Sequence, residues 1–176
     1  MNAEALVLSL LDTLPGKEVI GRKRLQKLAY FALNLGAPAQ VKFFLYDFGP
    51  FSAEVASAAQ MLTLLGEIGE DDTLLPNKKR FVKSYKLRDD STVKERLPIQ
   101  VSEHIAKLLP YSTVELEIAS TILFFHNKGL SWANALDATK ELKPAKSVPQ
   151  VISKAKEALA GVGLYEGRGT NSLPGT

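Results

Sequence analysis

No cysteine occurs anywhere in the chain, which removes disulfide frameworks, thiolate metal sites and thiol nucleophiles together. Histidine is almost as scarce. His104 and His126 are the only two among 176 residues; they fall in separate helical segments, and neither has Asp or Glu at metal-ligand spacing. A serine or threonine nucleophile would have few bases to activate it. Glycine-rich loops of the phosphate-cradling kind are missing too, because Gly161 and Gly163 close a helical segment instead of opening one. Glu115 and Glu117 diverge on their helix, and Asp71, Asp72, Asp89 and Asp90 fall in expected loops, so no paired acid and base stands out. The expectation is a chain that is not an enzyme and carries no catalytic residue, no metal and no cofactor.

Long apolar runs are lacking as well. The most apolar stretch, residues 118–125, falls far short of the roughly 18–20 residues needed to cross a bilayer. The opening MNAEALVLSLLDTLPG has no basic start and carries Glu4 and Asp12, so it reads as an amphipathic helix and not as a secretory leader. A cytoplasmic protein without membrane contact is expected.

Charge of one sign is not in large excess: 22 Lys and Arg stand against 19 Asp and Glu, a net charge of +3, although the pI is near 9.0. The distribution is blocky. Lys17, Arg22, Lys23, Arg24 and Lys27 form one basic cluster and Lys78, Lys79, Arg80, Lys83, Lys86 and Arg88 another, with Glu67, Glu70, Asp71 and Asp72 between them. Such alternation is more often solvated surface than a nucleic-acid footprint.

What is present is helical periodicity. Leu6, Leu10 and Leu14 make a stripe closed by Pro15-Gly16, and Leu25, Leu28, Ala29, Ala32 and Leu35 make a second that ends at Gly36. The basic residues of the second helix crowd its first turns, the end where the helix dipole disfavours cations. Residues 41–48, VKFFLYDF, are aromatic and β-branched and predict a short strand. A Gly49-Pro50 turn then leads to Ser52 as N-cap of a helix over about 53–65. Residues 67–75 and 80–88 predict a hairpin, with Phe81, Tyr85 and Leu87 on its inner side. The rest is helical: 99–109, then a helix opened by the capping box Ser112 to Glu115, then 131–142 and 149–161. The helix after Ser112 is apolar almost all round and is expected at the centre of the core.

The predicted fold is mainly α (α+β). A winged-helix-like N-terminal lobe with short strands, about 1–97, precedes a helical C-terminal lobe, about 98–165. Together they form one globular domain over 1–165, followed by a flexible tail at 166–176. Helix, helix, strand, helix and hairpin is the element order of a winged helix. Its recognition helix would be SAEVASAAQMLTLLG, which holds no Lys or Arg and carries Glu54 in the first turn, so a scaffold is favoured over a DNA reader.

GRKRLQKLAYFALNLG, FFLYDFGPFSAEVASAAQMLTLLGEI, STVELEIASTILFF and GLSWANALDATKELKP together resemble the YwgA-like family of bacteria and archaea, which is similar to the Panacea (SocA-like) antitoxin domain. Leu25, Gln26, Lys27, Leu28 and Tyr30, then Tyr46, Gly49, Pro50 and Ser52, match its pattern. The resemblance implies a mainly helical protein-binding module, antitoxin-like or adaptor-like, whose partner is a toxin-like protein or a protease substrate. The alternative is a winged-helix regulator that binds nucleic acid. Candidate contact residues for either partner are Arg22, Lys23, Arg24, Gln26, Lys27, Tyr46, Asp47, Phe48, Lys83 and Lys86. Burial of Tyr46, Phe48 and Phe51 is the favoured expectation, and their exposure would mark a partner surface.

Overall fold

Leucines four residues apart and an Asn at the right offset produce the first helix. In the computed structural model, which describes residues 1–75 and 80–165, α1 (Ala3–Thr13) is capped by Asn2, whose side chain accepts from the Ala5 amide, and it buries Leu6, Val7, Leu10 and Leu11. A short strand the periodicity does not announce follows: β1 (Glu18–Ile20), with Val19 in the core. Then comes α2 (Arg22–Asn34), buried continuously from Leu25 to Ala32.

The segment read as one strand over 41–48 folds differently. Only β2 (Phe44–Tyr46) is extended, and it pairs back onto β3 (Gly49–Phe51), so the reversal lies at Asp47-Phe48 and Gly49-Pro50 belongs to a strand. Proline fits there because it sits in a short two-stranded ribbon, where one face of the backbone has no ladder to complete. Ser52 then caps α3 (Ala53–Leu64), accepting from the Val55 amide at 3.3 Å.

The second hairpin pairs β4 (Ile68–Leu75) with β5 (Arg80–Leu87), and β1 joins β5 on its far side, giving the antiparallel order β1-β5-β4. Helix α1, strand β1, helices α2 and α3 and then a hairpin, with that sheet order, is the topology of a winged helix, here carrying the β2-β3 ribbon as an insertion between α2 and α3. Tyr85 and Leu87 face inward as expected, whereas Phe81, paired with Leu74 one position from the last described pair of the ladder, is 68 % exposed. Lys78 and Lys79 lie outside the described residues, as does the expected tail at 166–176.

Four more helices follow among the described residues. They are α4 (Ile99–Leu108), α5 (Thr113–Asn127), α6 (Trp132–Leu142) and α7 (Pro149–Gly161). The capping box is formed: Glu115 accepts from the Ser112 amide at 2.7 Å and Ser112 from the Glu115 amide at 3.3 Å. Helix α5 packs against α2, β3, α6 and α7 and is buried from Leu116 to Leu123. One hydrophobic cluster runs through both halves, from Leu6 and Phe31 to Ile122 and Leu159. The architecture is mainly helical with small antiparallel sheets, an α+β fold. Among the described residues no helix is long and apolar enough to cross a membrane.

Candidate functional site: a clamped aromatic hairpin and the cavity beneath it

The basic cluster at the start of α2 does not form one surface. Arg22 donates from Nε to the Tyr85 hydroxyl at 3.1 Å and lies 3.5 Å from Glu70. Lys23 stands 3.0 Å from the centroid of the Phe48 ring, within reach of its negative face. Arg24 turns the other way and donates to the carbonyls of Leu109 and Tyr111, both at 2.7 Å. It thereby satisfies acceptors left open at the end of α4, where the dipole also favours a cation. These contacts offset the cost of gathering cations at the N-terminus of α2.

Gln26 and Lys27 point into the protein. Gln26 exchanges two hydrogen bonds with the backbone of Ser52, accepting from its amide at 2.9 Å and donating to its carbonyl at 3.0 Å. Lys27 donates from Nζ to the Pro50 carbonyl at 2.8 Å and is 1 % exposed. The two polar residues of the LQKL segment thus bind the backbone of the GPFS segment directly.

A third tie comes from the C-terminal half. Glu117, buried in α5, receives Lys143 at 2.8 Å and Lys146 at 2.7 Å, and Lys143 also donates to the Asp47 carbonyl. Burial alone would push the Glu117 carboxyl up, but the hydrogen bonds and charges of Lys143 and Lys146 hold it below the usual carboxylate range. Burial drives Lys27 the opposite way, down to about 7, helped by Lys143, Lys23 and Lys146 and resisted by Glu117. The backbone of residues 47, 50 and 52 is therefore gripped by side chains of α2 and of the segment following α6. Gly49 completes the fit, with φ +83° and no room for a side chain: a Cβ there would lie 2.8 Å from Thr121 Oγ1.

With its backbone held from below, the ribbon turns its aromatic side chains outward. Phe44 and Tyr46 are each 61 % exposed and Phe48 is 46 % exposed, which corrects the expectation of burial; Phe51 is half-buried. The physical reason is the reversal at residues 47 and 48: it forms a two-stranded ribbon whose outer side no other element covers among the described residues, so Tyr46 and Phe48 stay open to solvent while also lining the cavity beneath. Beneath the ribbon, between α2, α3 and Tyr85 of β5, lies a cavity of about 460 Å³. Asp47 is exposed at its mouth.

Of the ten candidates, Arg22, Lys23, Gln26, Lys27, Tyr46, Asp47 and Phe48 line this cavity, while Arg24 bonds to the end of α4. Lys83 pairs with Glu70 at 3.3 Å and Asp72 at 3.1 Å, and Lys86 is exposed on β5. Nothing in the sequence announced Lys143 and Lys146, and for Glu117 the signal was a second carboxylate, beyond the capping Glu115, in an otherwise apolar core helix. His104 and His126 do not line the cavity. His126 stacks on Trp132 with centroids 3.6 Å apart and bonds through Nδ1 to the Leu130 carbonyl at 2.9 Å, while His104 Nδ1 is buried with no hydrogen-bond partner among the described residues. Among the described residues no three His, Asp or Glu side chains converge as a metal site. No protein-family model, no curated protein and no solved structure matches the chain.

Proposed function

We propose that the chain is a non-catalytic, cytoplasmic protein-binding module, antitoxin-like or adaptor-like, that docks its partner on the outer face of the β2-β3 ribbon. One observation carries the reading: Phe44, Tyr46 and Phe48 stand exposed on a backbone that buried charged and polar groups hold rigid. Exposed aromatic side chains on a preorganised support lose little entropy on binding, and aromatic residues are the commonest energetic anchors of interfaces. The resemblance to YwgA-like and Panacea-like sequences supports the same class of partner, a toxin-like protein or a protease substrate.

The test is co-purification from the native host, comparing the wild type with the Tyr46→Ser, Phe48→Ser double variant. The expected result is a stoichiometric partner whose affinity falls at least about tenfold in the variant, the loss that follows from removing interface anchors. A wild-type chain that elutes reproducibly alone as a monomer would sink the reading.

A second reading, a nucleic-acid-binding regulator, is favoured by the winged-helix topology and by exposed Lys86 on β5 and exposed Arg88 just beyond it. Against it, α3 has no Lys or Arg and exposes Glu54, Met61 and Leu64, with Gln60 its one exposed amide side chain for a base edge. Phosphate binding weakens steeply with salt, so failure to be retained on duplex DNA at about 50 mM salt would end this alternative.

A further inference from the structure

We propose that the cavity beneath the ribbon is a binding site for a small organic anion, an apolar body carrying one carboxylate, seated with its charge towards Lys27 and its body against Phe48 and Phe51. The site goes beyond the docking surface, and its occupancy does not depend on the identity of a protein partner.

Three features of the cavity fix the class of ligand. Its volume of about 460 Å³ lies within the range of small-molecule sites, which are mostly apolar with a few placed polar groups. Its charge is one-sided: Arg22, Lys23 and Lys27 line it against Asp47 alone. Its polarity is graded from mouth to depth. Tyr46, Phe48 and Asp47 lie exposed at the mouth, while Leu25, Gln26, Lys27, Ala59 and Tyr85 are buried. Lys27 belongs to the buried part of this lining, with its Nζ held at the Pro50 carbonyl.

Lys27 is the decisive group. Among the described residues the Pro50 carbonyl is the hydrogen-bond acceptor of its Nζ, so two of the three N–H donors of an ammonium have no acceptor there. A buried cation in that condition is costly unless it is paired. The Glu117 carboxylate, within ion-pair distance of Lys143 and Lys146, favours the charge on Lys27 only at longer range. A ligand carboxylate would supply the missing acceptor and favour the charged amine that burial otherwise disfavours.

A free acid fits better than a length of peptide. The main chain of the ribbon on this side is already engaged, with the Asp47 carbonyl bound by Lys143, the Pro50 carbonyl by Lys27, and both backbone groups of Ser52 by Gln26. A peptide drawn into the cavity would leave its own amides without partners, at a free-energy cost for each one.

The experiment is an amide chemical-shift titration of the full-length, isotope-labelled chain with 4-phenylbutyrate, at up to about 5 mM so that even a millimolar site fills. In parallel run 4-phenylbutylamine, which has the same body and the opposite charge, and acetyl-Gly-Gly-Phe with a free C-terminus. Saturable shifts at Gly49, Phe51 and Ala56 with phenylbutyrate and none with the amine are expected. Ala56→Phe, which fills the cavity, should abolish them, and Arg22→Ala, with its fold checked by the dispersion of the amide spectrum, should weaken binding about threefold to tenfold. Equal shifts with acid and amine, no shift at any cavity amide with the acid, or shifts with the peptide alone would each overturn the proposal.

Discussion

Lys27 and Glu117 are opposite charges buried in one region and treated oppositely by it. Lys27 ionises less readily in the folded chain, with its value pushed from 10.5 down to about 7. Below about pH 7 both folded and unfolded chains carry the proton and the folded state bears the full cost of burying it. Between about 7 and 10.5 the unfolded chain still holds a proton that the folded chain has released, so stability rises with pH across that window. Urea denaturation at pH 7, 8 and 9 should show this rise in the wild type and its loss in Lys27→Met, which keeps the volume and discards the charge. Identical slopes in the two proteins would place the amine's ionisation elsewhere. Glu117→Gln should be worse than Lys27→Met at every pH, because it strands Lys143 and Lys146 without a counter-charge. A loss of about 3–5 kcal/mol is expected from breaking a buried pair on one side, read as a lower urea midpoint at unchanged slope.

At the scale of elements, the helices were largely legible and the ribbon was not. Leucine spacing, Ser52, the Ser112 to Glu115 box and Pro149 each act within one turn of chain, so their consequences could be read locally. The ribbon depends on distant groups: Gln26 lies 26 positions before Ser52, and Lys143 lies 96 after Asp47. VKFFLYDF has the composition of a strand throughout, and its reversal at residue 47 is held by distant groups, Gln26 and Lys27 of α2 and Lys143 after α6. Strand β1 escaped for a related reason: three residues carry no period, and its partner β5 is more than sixty positions away. Gly49 tests how tightly the ribbon is held. Gly49→Ala must adopt a left-handed backbone and also meet Thr121 Oγ1, so a destabilisation of about 2 kcal/mol or more is expected, above the 1–2 kcal/mol of the backbone alone. The double change Gly49→Ala with Thr121→Ala should recover only the steric part. Full recovery would mean that the positive φ costs nothing, contrary to this account.

For the whole molecule, the division into a winged-helix-like lobe and a helical lobe describes topology better than it describes cohesion. The candidate residues of the first lobe owe their positions to the second, and this is why the sequence could nominate Gln26, Lys27, Tyr46 and Phe48 without revealing how they are arranged. Arg24 bonds to the carbonyls of Leu109 and Tyr111, Tyr30 packs its ring against Phe124, and β3 rests on α5. A fragment of residues 1–97 would keep the local signals that start its helices but would expose the face of α2 that α5 covers. It would also lose the Lys143 tie on the ribbon. Its expected state is compact and loosely packed, with helical far-ultraviolet dichroism, little near-ultraviolet signal, binding of an apolar dye and no sharp thermal transition. The full chain should unfold in one cooperative step because a single hydrophobic cluster spans both halves. A fragment with a dispersed amide spectrum and its own cooperative transition would show that the first lobe is an independent domain. The ribbon's aromatic face would then be displayed by α2 alone, and variants in Glu117, Lys143 or Lys146 should leave partner binding unchanged. If the two halves are one body, those same variants should weaken binding although none of the three side chains lies on the docking face.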